Sequence, residues 1–417
     1  MNQRKPNSGR PRVLAFADAN FIAHTSRVVE VAKVLRDRHG YEVIFAGAGA
    51  FTSIPKNEGM VTDYVFTVSK KSTLDLARKA GLVDPRWWFD MCRKSILSDL
   101  DVIDKHKPDL VLGDMHWSLF ASAQETGVPY VAIANAHWTD YFGDEFGPLE
   151  DHWSYTLFGK HAGKMFPAFR TVIGGYWALP YIIRGLRKNY PRKAKNICDV
   201  LAGADLVLLA DVPSYGPVTD APDHYQYCGP ILWEPHIPEP AWLGELDPER
   251  PTLYVTMGST GDPKFFHDTV RSYAATEYQV IVTTGGLPVD FSDMPANVKW
   301  TDFAPGHAMM EHADLVISHG GNGTIYQALS WGTPIIGIPF HIDQDINLQR
   351  VEALGVGIKL PLRRFSARTL RKAVDTILGD PGYADRARKV REEIRAYGGA
   401  ETAAQLVEEF ARKRGIR

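Results

Sequence analysis

One segment, Ala313–Arg350, limits the possible folds more than any other. It reads A-D-L-V-I-S-H-G-G-N-G-T-I-Y-Q-A-L-S-W-G-T-P-I-I-G-I-P-F-H-I-D-Q-D-I-N-L-Q-R. Leu315–Ser318 is a short apolar run suited to a buried parallel strand. His319–Thr324 is a Gly-rich turn, and Ile325–Trp331 has helical spacing that stops at Gly332. Thr333–Pro339 reads as a second buried strand. Strand, turn, helix and strand make a βαβ unit, whose helix start offers free N–H groups and a favourable dipole to an anion. Gly320, Gly321 and Gly323 let the backbone approach that anion closely. His319 and Thr324 can add side-chain donors, so the segment reads as a clamp for a nucleotide diphosphate.

The same alternation runs through the rest of the chain. Arg12–Phe16, Tyr41–Ala46, Leu110–Gly113, Tyr130–Ile133 and Leu206–Ala210 read as strands, with helical spacing at Ile22–Arg38 and Ser118–Thr126. A Pro-rich stretch follows, and a second series begins at Thr252–Met257 and continues through Val280–Thr283. The fold class expected is α/β, with two doubly wound domains. The boundaries read as a disordered tail at 1–11, a first domain at 12–228, a linker at 229–246, a second domain at 247–397 and a final helix at 398–417. A length of 417 residues fits two or three domains of ordinary size.

Composition excludes several classes. A formal net charge of -2 gives no bulk attraction to nucleic acid, so no nucleic-acid partner is expected. Cys92, Cys198 and Cys228 are too widely spaced for a metal knuckle or a disulfide framework, which fits a reducing, cytoplasmic setting. Met1–Arg12 is polar and basic with no secretory apolar core after it, and no apolar run reaches the ~20 residues that span a bilayer.

His319, Gly321, Thr324, Pro339, Asp343, Gln344 and Asn347 follow the pattern H-x-G-x-x-[ST], apolar strand ending in Pro, then D-Q-x-x-N. In this the chain closely resembles family 1 glycosyltransferases of the UDP-glycosyltransferase-like, bacterial natural-product type. The resemblance implies the GT-B architecture, two Rossmann-like domains facing across a cleft. It implies transfer of a sugar, with inversion, from a nucleoside-diphosphate sugar to a hydrophobic small molecule. No resident cofactor and no metal is expected, the UDP-sugar or dTDP-sugar being a co-substrate.

His24, in N-F-I-A-H-T-S-R, is placed in the loop after the opening strand, at the carboxyl edge where open α/β sheets bind ligands. A neutral imidazole there can take the proton of an attacking hydroxyl. Asp114 ends another strand on the same edge and is its candidate partner, with Asp18 and Asp109 as competitors. Asp109 begins its strand at the opposite end. His116 is either a second acceptor-site histidine or the base itself.

For the donor, the candidates are Gly258 and Ser259 after the Thr252–Met257 strand, and then His319, Gly321, Gly323 and Thr324 in the turn. The resemblance adds Phe303 where relatives often carry a base-stacking Trp, Gln327 where many have a ribose-binding Glu, and Asp343 and Gln344 as contacts to the sugar hydroxyls. Gly306 departs from a common Gln. Asp343-Gln344-Asp345 also spells the metal-binding D-x-D of another glycosyltransferase architecture, a reading rejected because the helix terminus, His319 and Thr324 can meet the phosphate charge.

Residues 138–181 are dense in aromatic side chains, from Trp138, Tyr141 and Phe142 to Trp177 and Tyr181. With His116 and Trp117, Trp138 and Phe142 are the acceptor-binding candidates. The region reads as an apolar pocket, as a core layer, or, given the basic run after Ile183, as a membrane-surface contact. A glycolipid synthase and a catalytically silent nucleotide binder are the alternatives to the small-molecule transferase.

Overall fold

The computed structural model describes residues 9–416 apart from 80–82, 144–145, 148, 152 and 259–260. Most of the expected N-terminal tail, and Ser259, therefore lie outside the described residues. The chain groups into two compact units. One holds residues up to 145, 166–233 and 397–417; the other holds 146–165 and 234–396.

The first unit is built on the strands β1 (Arg12–Ala17), β2 (Glu42–Ala46), β3 (Val61–Asp63), β4 (Leu110–Asp114), β5 (Tyr130–Ala134), β6 (Leu206–Leu209) and β7 (Tyr225–Tyr227). They pair in parallel in the order β3-β2-β1-β4-β5-β6-β7. The central strands are continuous apolar runs because both faces of the sheet are covered. Strand order reverses between β1 and β4, where Ala17 lies beside Asp114. Their carboxyl ends flank the crevice in which such sheets take their ligands.

Four helices matter for the site: α1 (Ile22–His39), α2 (Pro85–His106), α3 (Leu119–Thr126) and α4 (Ala162–Lys188). The first begins two residues before His24, so this histidine lies in a helical turn and not in the expected loop. The C-terminal helix Ala400–Lys413 lies against α1, burying Ala403, Ala404, Val407 and Ala411. Tyr41 donates to Glu408 at 2.8 Å in that contact.

The second unit repeats the plan with β8 (Thr252–Thr256), β9 (Gln279–Thr283), β10 (Val298–Thr301), β11 (Leu315–Ser318), β12 (Ile335–Gly337) and β13 (Gly357–Lys359). The order is β10-β9-β8-β11-β12-β13, all parallel, with the reversal between β8 and β11. Helix α5 (Asn322–Trp331) follows β11 and ends at Gly332, whose φ of 76° closes the turn; α6 (Ile342–Ala353) follows β12.

Two boundaries differ from the sequence reading. The division at 233/234 falls inside the expected 229–246 linker, and Leu243 is already buried in the second unit. Residues 146–165, expected in the first domain, belong to the second unit. Hydrogen bonds hold them there: Gly147 N–H donates to Gln349 Oε1 at 2.7 Å, and Asp151 accepts from the N–H groups of Leu362 and Arg363 at 2.8 and 3.0 Å.

Candidate active site

In the first unit a turn brings the chain from β1 into α1. Phe21 N–H donates to Asp18 O, and Asp18 accepts from the backbone and side chain of Asn20. His24 and Arg27 then stand three residues apart on one helical face, the spacing at which side chains share a neighbour. That neighbour is Asp114 at the end of β4, fully buried. His24 Nδ1 lies 2.8 Å from Asp114 Oδ1; a carboxylate only accepts, so Nδ1 carries the hydrogen and Nε2 keeps its lone pair. Arg27 grips the same carboxylate with both arms of its fork, Nε to Oδ2 at 2.6 Å and Nη2 to Oδ1 at 2.8 Å.

Burial pushes the Asp114 carboxyl up, but the Arg27 guanidinium and the His24 imidazole outweigh it and hold the group below its ordinary value. Arg27 is itself anchored on the far side: Nη1 donates to Asn135 Oδ1 at 2.8 Å, and Asn135 donates to Asp211 at 3.0 Å. The sequence reading missed Arg27, although its i+3 offset from His24 is a readable signal once the helix start is known.

His24 opens onto a cavity of about 120 Å³. Phe21, Trp88, Met115, Trp117 and Tyr181 supply much of its apolar wall, and Asp18 and His116 also line it. His116 Nε2 donates to the buried Asp99 at 2.9 Å, and Ser122 also donates to Asp99, at 3.0 Å. Burial disfavours the His116 imidazolium, yet Asp99 and then Asp18 outweigh it and raise its pKa. Burial pushes Asp18 upward as well. Asp109 sits at the other end of β4, accepting from Arg12 N–H at 2.8 Å, far along the strand from this chemistry.

Of the acceptor candidates, His116 and Trp117 line the cavity. Trp117 meets Trp88 edge-on at 5.2 Å and stacks on Trp177 at 6.2 Å. Trp138 packs against the same cluster without lining the cavity, and Phe142 pairs with Val218 in an isolated bridge. The aromatic region is thus divided: Trp177 and Tyr181 join core and cavity, whereas Tyr155 lies in the second unit under Arg363.

In the second unit the carboxyl ends of β8, β9, β10 and β11 converge on the Gly-rich turn. The His319 ring sits between two glycines: a Cβ on Gly258 would fall 2.7 Å from its Cε1, and one on Gly321 2.6 Å from its Nε2. Gly285, φ 62°, packs on the backbone of Gly258, and Gly286 faces the ring of Phe303. These two glycines were missed, though Thr284-Gly285-Gly286 follows an apolar strand just as Gly258 does. Phe303 is 48% exposed, an unusual state for a Phe and one suited to stacking on a base.

Gln327 and Gly306 were each noted as departures from the family pattern, and they turn out to be one feature. A Cβ on Gly306 would lie 2.4 Å from Gln327 Nε2, so the Gln fills the space that a side chain at 306 would need. Gly323 is exposed with nothing within 4 Å of an added Cβ, and Thr324 is half-buried beside it on the first turn of α5. No side chain caps α5. The buried His319 Nδ1 and Asn322 Nδ2 have no hydrogen-bond partner among the described residues. Burial, then His341, depresses the pKa of His319 to about 3, so this imidazole is neutral at pH 7. Unpartnered donors at an uncapped helix start suit an anion.

Asp343 is half-buried in the first turn of α6 and accepts from Asn347 Nδ2 at 3.3 Å. Asn347 also donates to Gly320 O at 3.2 Å, which ties the D-Q-x-x-N helix to the Gly-rich turn. Gln344 is buried, and its Oε1 accepts from Phe340 N–H at 2.8 Å. Asp345, the second acid of the apparent D-x-D, is buried against Lys359 Nζ at 3.0 Å and Gln349 Nε2 at 2.7 Å.

Residues 268–409 match the family described as erythromycin biosynthesis protein CIII-like, C-terminal domain. The chain is 30% identical over 392 residues to a PGL/p-HBAD biosynthesis glycosyltransferase of Mycobacterium tuberculosis (strain ATCC 25177 / H37Ra), covering 93% of this chain and 90% of that one. It is 32% identical over 386 residues to a PGL/p-HBAD biosynthesis rhamnosyltransferase of Mycobacterium bovis (strain BCG / Pasteur 1173P2), covering 92% and 84%. Its fold is similar to that of a Streptomyces sp. SF2575 glycosyltransferase complexed with thymidine diphosphate, with a TM-score of 0.67, 18% identity, and coverage of 96% of this chain and 100% of that one. Two parallel-sheet units, a His–Asp pair at one switch point, a Gly-rich turn with unpartnered donors at the other, and relatives matched along most of their length agree: the chain belongs to the GT-B natural-product glycosyltransferases.

Proposed function

We propose that this enzyme transfers a sugar from a UDP- or dTDP-sugar to a hydroxyl of a hydrophobic small molecule by single displacement, with inversion at the anomeric carbon. The observation that carries this reading is the His24–Asp114 contact beside an aromatic-walled cavity. His24 Nε2 takes the acceptor O–H proton while the oxygen bonds to the anomeric carbon. The bond from that carbon to the β-phosphate oxygen breaks, and its electron pair leaves with the nucleoside diphosphate. Asp114 fixes the imidazole tautomer and balances the imidazolium.

On the donor side the free N–H groups of α5, with His319 as a neutral donor, meet the leaving diphosphate. Phe303 stacks on the pyrimidine, Gln327 accepts from the ribose, and Asp343 accepts from sugar hydroxyls. Gln344 orders the turn that presents Asp343, since its carbonyl oxygen already holds Phe340 N–H. The thymidine diphosphate held by the Streptomyces relative and the rhamnosyl activity named for the Mycobacterium bovis one favour a dTDP-deoxysugar. A metal is not needed: Asp345 is committed to Lys359, so the D-x-D is not a free pair of acids. Three widely spaced cysteines suit a reducing cytoplasm; separately, no described helix is long and apolar enough to cross a membrane.

One experiment tests the whole reading. The protein is incubated with UDP-glucose or dTDP-rhamnose and a panel of aromatic and macrocyclic alcohols, with EDTA present, and products are read by mass. Donor consumed to free nucleotide without acceptor product would indicate hydrolysis. No turnover of any donor would favour the silent binder.

A second reading has one observation behind it. On α4, Val172, Leu179 and Leu186 are exposed at seven-residue intervals, next to exposed Arg187 and Lys188. Such a stripe suits an anionic membrane surface and a lipid acceptor. Co-sedimentation with phosphatidylglycerol vesicles, set against phosphatidylcholine vesicles, decides it.

A further inference from the structure

We infer that His307 is a positioning residue for the nucleotide: as an imidazolium held between Glu234 and Glu239, it fastens the segment that carries Phe303 and Gly306 to the start of the linker. The inference rests on the donor-site reading above and deepens it, by naming what regulates the hold on the nucleoside diphosphate.

His307 lies in the first turn of a short helix, Gly306–Glu311. Its backbone N–H donates to Glu234 Oε1 at 2.9 Å, and its ring Nδ1 lies 3.0 Å from the other oxygen, Oε2. The second ring nitrogen, Nε2, lies 3.3 Å from Glu239 Oε1. A carboxylate only accepts, and only the imidazolium carries a hydrogen on both nitrogens. A neutral ring would aim a lone pair at one of the two glutamates. The arrangement therefore suits the charged ring. Glu234 also supplies an anionic partner to a helix start where Pro305, at the N-cap, makes no side-chain bond.

What the clamp joins gives it a role. The chain enters the second unit at Glu234, and Glu234 and Glu239 bracket the run E-P-H-I-P-E, which Pro235 and Pro238 stiffen. On the other side, Phe303 and Ala304 lie between two anchorages. Asp302 accepts from Thr284 Oγ1 at 2.7 Å and, through its carbonyl, from Gly285 N–H at 2.9 Å; His307 is held by the glutamates. Gly306, packed against Gln327, adjoins His307. Losing the clamp frees one end of the segment on which base and ribose rest. His307 touches neither of them and acts through Phe303 and Gly306.

The clamp depends on pH. Glu234 above all, with Glu239 adding, outweighs partial burial and raises the pKa of His307. Glu311 stands one turn on along the same helix, and His236 lies between the two glutamates in sequence; α5, which packs against the short helix, brings no charged residue. A raised folded value means that the stabilisation is complete below about 6.5 and is lost as pH rises through the folded value. The ring is half-exposed, so the effect is modest and salt weakens it.

The test compares wild type with His307→Gln and Glu239→Gln at about pH 6 and about pH 9, on either side of the histidine range. In the free protein, hydrogen exchange of residues 234–246, read by mass spectrometry, should be faster in both variants at the lower pH, and the difference should close at the higher. The His307 ring protons, identified by their loss in His307→Gln, should titrate above about 6.5 in wild type and over a lower range in Glu234→Gln. Calorimetry with UDP and dTDP reads the consequence. Binding to His307→Gln should be about two- to fivefold weaker than to wild type at the lower pH, the scale of an exposed charge pair, and equal to it at the higher. Comparing two proteins at one pH cancels the ionisation of the ligand's own phosphate, near pH 6. Exchange in both variants that matches wild type at the lower pH would overturn the clamp. Faster exchange with unchanged affinity would overturn the positioning role, and so would an affinity loss equal at both pH values, which marks a structural defect. If wild type binds neither nucleotide, the donor-site reading fails and takes the positioning role with it, while exchange and ring titration still decide the clamp.

Discussion

At His319 burial decides the protonation state. Its folded pKa, about 3, lies below the ordinary histidine value of about 6.5, so the unfolded chain binds more protons between those limits. The stability it contributes is complete above about 6.5 and is lost as pH falls toward 3. His319→Asn should therefore flatten the decline of melting temperature between pH 6.5 and 4, measured by calorimetry on both proteins. His24 differs in kind. His24→Ala should lower kcat by roughly 10²-fold, the usual scale for a general base, while nucleoside diphosphate affinity, read by titration calorimetry, stays as in wild type. The pairing of His24 with Asp114 was legible because the segment after β1 and the end of β4 fall on one edge of the sheet. Arg27 was not, because the entry to α1 carries no capping signature: Phe21 is the N-cap and makes no side-chain bond, so the chain there reads as a loop. Asp99 had no local signal either; it is one more acid on an amphipathic helix until α3 and His116 close over it.

Among the elements, the buried parallel strands and α5 were readable because continuous apolar runs bounded by glycine leave few alternatives. What the pattern did not give is how tightly these ends pack. Gly258 has a φ of 54° and a ring 2.7 Å from where its Cβ would be, so Gly258→Ala is strained by both backbone and contact. It should destabilise the protein by about 1–2 kcal/mol and displace His319. Gly323, with open space where its Cβ would be, makes the contrast. Gly323→Ala should leave the melting temperature of the free protein unchanged yet reduce the added stability conferred by UDP or dTDP. A Gly323→Ala protein with a full nucleotide-induced shift would place the diphosphate elsewhere. The 3.3 and 3.2 Å bonds from Asn347 to Asp343 and Gly320 likewise explain why the Gly-rich turn and the D-Q-x-x-N helix occur together.

For the whole molecule, two parallel-sheet domains could be read from alternating strands and helices, but the path of the chain between the units could not. It passes from one unit to the other at 145/146, 165/166, 233/234 and 396/397. The Pro-rich linker announces only the third of these, and residues 146–165 look like any aromatic stretch of the first domain until Asp151 is seen to hold the turn at Leu362. This has an evolutionary and practical consequence. The second unit is not one contiguous block of sequence, so a single crossover near 233 between two relatives would give a chimera whose Gly147 and Asp151 come from one parent and whose Gln349 and Leu362 come from the other. Such a chimera should melt several degrees below one in which 146–165 is exchanged as well, by scanning calorimetry of both. Recombination within this family is then expected to succeed with paired breakpoints and to fail with solitary ones.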